Sequence, residues 1–248
     1  MEYHAALSKP YIRVCRPEGM SFGGSQEWFP DKTIRDYGCG LIGASDVLLY
    51  TGCGETKDSE NPFIKEPEMV KGQETAKIPS NIFRAEDYER LVKMYRRYFP
   101  ILPGFGMPGW FLPIGFNLWF RRHGFLWKAR WGVSYKKLME SVAGMLEENL
   151  PVILSVGPHF PYFWRKEGLL LYQKEADHHL KPSVRTRAHY VVVTAVCGEW
   201  LQISSWGREY YIRISEYGEY VRKYSCPLFS NICLIRRRRS SVLFRGPV

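Results

Sequence analysis

The sequence lacks the features that mark exported and disulfide-rich proteins. Its first residues, Met1 to Leu7, do not combine a basic start with an apolar run, as a secretory signal requires. The six cysteines are widely spaced and include no Cys-x-x-Cys pair, which argues against a zinc framework and against a disulfide scaffold. We therefore expect a cytoplasmic protein with reduced thiols and no bound cofactor or metal.

Charged residues are absent from the stretch 98–120, which therefore has to be weighed as a membrane segment. About 20 apolar residues suffice to span a bilayer. This stretch, however, contains Pro100, Pro103, Pro108 and Pro113, and each proline removes a backbone donor that lipid cannot replace. We predict a buried, aromatic-lined loop whose rings equally suit a substrate cleft. Contact with a membrane surface is not favoured.

The charge balance is basic, with 35 Lys and Arg against 25 Asp and Glu. Such a balance permits contact with nucleic acid without specifying it. Because no motif of interleaved aromatic and basic residues is present, we predict no nucleic-acid partner. The arginines that begin at Arg236 follow the last apolar run and indicate a solvated basic tail over 236–248.

The periodicity changes near the middle of the chain. Helical spacing dominates about 31–150, and runs typical of strands dominate about 151–235. This order predicts an α+β protein with a single domain, in which a helical lobe packs on an antiparallel sheet. The short strand 11–15 is a candidate to join that sheet.

One cysteine stands out by its position. Gly38 precedes Cys39, and an apolar helix then follows with Leu41, Ala44 and Val47 at helical spacing. Backbone N–H groups at the start of a helix are unpaired and the helix dipole is positive there, so a thiolate is favoured. We expect Cys39 to be a nucleophile with a lowered pKa.

Three further segments carry polar residues of matching chemistry. Gln26, upstream of Cys39, lies beside Trp28 and is a candidate oxyanion donor. His189 opens a β-branched run, and Ser204 lies two residues before Trp206 in the segment Ser-Ser-Trp-Gly. The order cysteine, histidine, polar residue resembles that of the papain-like cysteine peptidases.

The resemblance covers residues 22–50 and 151–214, and the Gly-Cys-Gly start is similar to the bacterial branch that contains bacteriocin-leader-processing peptidase domains. It implies a cysteine hydrolase that cleaves a peptide or other amide, or a related acyl transferase. Cys39 is then the nucleophile, His189 the general base, Gln26 an oxyanion donor and Ser204 the residue that orients the histidine. Trp28, His159 and Trp206 are weaker candidates that could line the substrate cleft, and an ordinary loop histidine is the simpler account of His159.

The sequence leaves three questions open. A hairpin folded about Gly198 places His189 opposite a position beyond Ser205, so either a bulge is needed or Ser205 replaces Ser204. The cluster from Asp177 to His179 is a weak metal candidate, because neighbouring residues point to different sides of an extended chain. Finally, an inactive papain-like binding module that uses the aromatic 98–120 segment to contact a partner or a membrane surface is an alternative to the enzyme.

Overall fold

The computed structural model describes residues 2–52, 80–161, 164–175 and 179–237. The described helices are α1 (Lys32–Tyr37), α2 (Cys39–Gly52), α3 (Ala85–Tyr95), α4 (Phe111–Arg122), α5 (Leu138–Glu147) and α6 (Ile214–Tyr224). The described strands are β1 (Tyr3–Ala6), β2 (Arg13–Arg16), β3 (Gly19–Met20), β4 (Ile82–Arg84), β5 (Trp127–Trp131), β6 (Val152–Val156), β7 (Leu169–Lys174), β8 (Leu180–Thr186), β9 (His189–Gly198), β10 (Trp200–Ser205), β11 (Arg208–Arg213) and β12 (Ile232–Arg237). Helices and an antiparallel sheet together confirm the α+β class.

The main sheet contains nine of the described strands in the order β5-β12-β6-β9-β10-β11-β7-β8, with β1 added beside β9. The central strand is β9, whose first half pairs with β6 and whose second half pairs with β1. All pairings in this sheet are antiparallel. β6 is buried throughout, as its continuous apolar sequence predicts for a central strand.

Helix α2 packs on this sheet through glycines. A Cβ at Gly43 would lie 3.4 Å from Val192 of β9, and one at Gly40 would lie 3.2 Å from Tyr190. These glycines therefore let the helix approach the sheet closely. The buried apolar side chains of helices and strands form one core.

The division into a helical and a sheet lobe is less strict than predicted. The strand predicted at 11–15 does not join the main sheet: β2 pairs with β3 and β4 in a separate three-stranded sheet. β5, from the predicted helical lobe, belongs to the main sheet, as does β1, which precedes that lobe, and α6 lies in the predicted sheet half. Arg236 and Arg237 of the predicted tail are exposed residues of β12, and residues 238–248 lie outside the described part.

The predicted loop at 98–120 is wrong in its second half, where helix α4 begins at Phe111. Pro113 is the third residue of this helix, where the N–H has no intrahelical partner, so proline is tolerated. The prolines before it, up to Pro108, precede the helix and do not break it. Among the described residues, no helix is long and apolar enough to cross a membrane.

Candidate functional site

Cys39 begins helix α2 at a sharp junction with α1. Gly38 ends α1 by donating its N–H to Ile34, and a Cβ at Gly38 would lie 2.2 Å from that carbonyl oxygen. Only glycine fits this close approach. The structure thus confirms the predicted turn and helix start and places the thiol among the free N–H groups of the first turn.

The four residues predicted to be catalytic surround one small pocket. Gln26, Cys39, His189 and Ser204 all line it, together with Asp46, Ser205, Trp206 and residues of α2 and β9. The volume is about 20 Å³, which is room for about one water molecule. Residues that are far apart in sequence therefore meet where α2 packs on β9.

His189 is held on two sides. Its Nε2 lies 2.8 Å from the Ser205 hydroxyl, and its ring stacks on Trp206 with 4.3 Å between centroids and an angle of 13°. Within the described chain this is its one hydrogen bond, so Nδ1 is left for another partner. Its orientation is thus fixed by Ser205 and Trp206.

A register shift decides which serine faces the histidine. The β9–β10 pairing shifts between Gln202 and Ile203, so that Ser204 lies opposite Val192 rather than Val193. Because side chains alternate along a strand, a residue opposite Val192 lies on the other face from His189. The assignment of Ser204 as the orienting residue is therefore wrong: its hydroxyl donates to the carbonyl of Phe22.

Gln26 lines the pocket, but its amide is already engaged. Its Nε2 donates to the carbonyl of Arg35 at 2.8 Å, and its Oε1 is buried without a hydrogen-bond partner. One amide hydrogen of Nε2 remains for a ligand. The residue is thus near the thiol, with only part of its donor capacity free for an oxyanion.

Two of the three predicted cleft residues lie along one groove. Trp28 and Trp206 line a larger pocket of about 670 Å³, and Trp206 also borders the Cys39 pocket. His159 lines neither pocket, and the prediction that it faces the cleft is wrong. It is buried, its Nδ1 contacts the Arg165 carbonyl, and its ring lies beside Tyr220.

Sequence reasoning missed Asp46, a buried carboxylate two turns after Cys39. Its oxygens accept hydrogen bonds from the Tyr88 hydroxyl at 2.7 Å, the Gly24 N–H at 3.0 Å and the Tyr11 hydroxyl at 3.1 Å. Asp46 thereby ties the loop that carries Gln26 to helix α2. The available signal was an acid inside an otherwise apolar helix, since such a charge has to be paired when it is buried.

Burial sets the protonation of the site. It raises the pKa of the Cys39 thiol, although the backbone N–H groups of Tyr190 and Gly40 act in the opposite direction. It also lowers the pKa of His189 to about 3. The expected lowering of the thiol pKa by the helix start is thus outweighed by desolvation, and the resting pair is a neutral thiol and a neutral imidazole.

No metal site is evident in the described ranges, where no three His, Cys, Asp or Glu side chains come together. Of the weak metal candidate at 177–179, Asp177 and His178 lie outside the described residues. Comparison of the chain with protein-family models, with curated proteins and with solved structures finds no match in any of the three.

Proposed function

We propose that the protein is a cysteine-nucleophile hydrolase, or acyl transferase, that acts on a peptide or another amide with a papain-like arrangement of residues. The observation that carries the proposal is the shared pocket of Cys39 and His189, in which Ser205 and Trp206 fix the imidazole. Cys39 is the nucleophile and His189 the general base. Ser205 takes the orienting role that the sequence assigned to Ser204.

The hydrogen bond of Nε2 determines the direction of proton transfer. When Nε2–H donates to Ser205, the free Nδ1 accepts the thiol proton as Sγ attacks the amide carbon. The resulting oxyanion is met by the N–H of Cys39 and by the remaining hydrogen of Gln26 Nε2. When the C–N bond breaks, Nδ1–H protonates the departing amine, and water or a second amine then releases the acyl group from sulfur.

The larger groove beside Trp206 gives the substrate a place to lie. Trp28, Trp206 and Tyr210 supply aromatic surface, while Arg16 and Glu27 supply charge. An extended peptide chain with both apolar and polar side chains suits this lining. The small Cys39 pocket would then receive only the reacting amide.

The first test is alkylation of Cys39 by iodoacetamide at pH 7, resolved from the other thiols by mass spectrometry. We expect His189→Ala to slow the reaction about tenfold, less than the loss of an imidazole of ordinary pKa would, because the neutral thiol then loses a base that burial has already weakened. His159→Ala is the matched control, since it removes a buried histidine outside the pocket and should leave the rate unchanged.

Equal rates in the parent protein and in both variants would overturn the proposal. The alternative would then hold, namely an inactive papain-like module that binds through exposed side chains of the 98–120 segment. Phe105, Trp110, Ile114 and Leu118 are exposed there, which is the observation in favour of that alternative.

Replacement of each of the two neighbouring serines by alanine tests the role of Ser205. We expect Ser205→Ala to slow alkylation of Cys39 about tenfold, because the ring of His189 loses the partner that orients it. Ser204→Ala should change the rate less than about twofold and instead lower the free energy of unfolding by about 1 kcal/mol, through the lost bond to Phe22. Chemical denaturation and the alkylation assay measure the two effects separately. The reverse pattern would mean that Ser204, and not Ser205, orients His189.

A further inference from the structure

Helix α4 presents an apolar face to solvent. Trp110, just before the helix, and Ile114 and Leu118 within it are 44%, 55% and 48% exposed. Their spacing of four residues places them in one row along the helix. Leu112 and Phe116, on the other side of the helix, are fully buried in the core. The exposed row is therefore a second apolar face, which the fold itself does not use.

The apolar surface continues beyond the helix. The ring of Trp110 lies 6.4 Å from that of Phe229, and the ring of Phe160 lies 5.3 Å from that of Phe229. Phe160 and Leu228, the neighbour of Phe229, are 41% and 59% exposed. We call these residues, together with Ile114 and Leu118, the α4 surface. Adjoining exposed apolar side chains of this extent mark an interaction site more often than single exposed residues do.

The charged residues of the chain segment that carries helix α4 are all basic. No Asp or Glu occurs in residues 90–139, whereas ten lysines and arginines do: Arg90, Lys93, Arg96, Arg97, Arg121, Arg122, Lys128, Arg130, Lys136 and Lys137. Arg121 and Arg122 follow Leu118 by three and four residues and extend the same row. Lys128 of β5 lies opposite Arg236 of β12, and both are exposed. Among the described contacts, Arg121, Arg122 and Lys128 form no ion pair.

We infer that the α4 surface docks the protein on the surface of a membrane that contains anionic lipid. Tryptophan and aliphatic side chains enter the boundary between headgroups and acyl chains, and neighbouring arginines bind anionic headgroups. Helix α4 carries both the apolar side chains and the arginines along one row. A second copy of the chain is a poorer occupant, because a symmetric contact would bring the unpaired arginines of both copies together.

The test is co-sedimentation of the full chain with two kinds of vesicles, pure phosphatidylcholine and phosphatidylcholine with about one third phosphatidylglycerol. We expect binding to the anionic vesicles that is at least about tenfold tighter than to the neutral ones and that weakens with added salt. Ile114→Glu/Leu118→Glu should weaken binding at least about tenfold, because it places charge in the apolar row. Arg121→Glu/Arg122→Glu should do the same.

A matched variant separates a local effect from net charge. Lys32→Glu/Lys166→Glu reverses two exposed lysines outside the segment and alters the formal charge as much as the arginine variant does. We expect it to retain most of the binding. Equal loss in the two charge variants, or equal binding to both kinds of vesicles, would overturn the inference.

Size-exclusion chromatography of the same variants tests whether a second copy of the chain, rather than a membrane, binds the α4 surface. A concentration-dependent dimer that Ile114→Glu/Leu118→Glu abolishes, without vesicle binding, would assign the α4 surface to self-association and overturn the membrane proposal. Circular dichroism of every variant establishes that it is folded, so that a loss of binding reports on the surface.

Discussion

Lowering the pH from 7 to 5 should cost about 2 kcal/mol of folding free energy through His189 alone. The folded pKa is about 3, while a free histidine in the unfolded chain titrates near 6.5. Below pH 6.5 the unfolded state therefore binds a proton that the folded state does not. The stabilisation is fully present above the unfolded pKa, and it is lost as the pH falls toward the folded one.

Chemical denaturation of the parent protein and of His189→Gln at several pH values measures this effect. Glutamine does not titrate, and its Nε2 can take the place of the imidazole Nε2 beside Ser205. The stability of the parent relative to the variant should fall by about 2 kcal/mol between pH 7 and pH 5. A difference that stays constant with pH would show that His189 binds its proton equally in both states and is not held neutral by burial.

Neutral His189 also limits the chemistry. An imidazole with so low a pKa is a weak base, so the alkylation rate of Cys39 should rise steadily with pH rather than reach a plateau below pH 8. A thiolate–imidazolium pair of Cys39 and His189, which the papain-like order of residues suggests, would instead give a constant alkylation rate below pH 8.

The parts of the site that the sequence predicts are those set by local pattern. Cys39 follows a glycine turn and begins an apolar helix, and His189 begins a β-branched strand, so both elements could be recognised within a few residues. The choice between Ser204 and Ser205 depends on a shift of one residue in the β9–β10 register. Periodicity gives no sign of such a shift, because both serines follow the same run of alternating residues.

The errors in the fold have equally specific causes. Because of Pro113, the sequence predicts a loop where helix α4 lies. This proline, however, occupies the first turn of the helix, where proline breaks no hydrogen bond. Helix α6 did carry a signal, since Tyr217, Tyr220 and Val221 recur at helical spacing and are buried.

Substitution of Asp46 should have the largest effect on stability of any change near the pocket. In Asp46→Ala the hydroxyls of Tyr11 and Tyr88 and the N–H of Gly24 lose a shared buried acceptor. Each unsatisfied buried group costs about 1–3 kcal/mol, so we expect a loss of about 3 kcal/mol or more. Ser45→Ala, one residue earlier, removes only a bond to the carbonyl of Leu41 and should cost less than about 1 kcal/mol.

The pH dependence of Asp46 should run opposite to that of His189. Burial raises its pKa to about 6 in spite of its three donors, so the folded state binds a proton more readily than the unfolded state does. Relative to Asp46→Asn, the parent should therefore be most stable at pH 4 and below, and it should lose about 2 kcal/mol as the pH rises from 4 to 7. Between pH 4 and pH 6 this slope opposes that of His189, so the two contributions largely cancel in the parent, and replacing either residue should expose the slope of the other. A parent that instead gains stability over Asp46→Asn as the pH rises would mean that the tyrosine and glycine donors outweigh burial and hold Asp46 as a carboxylate.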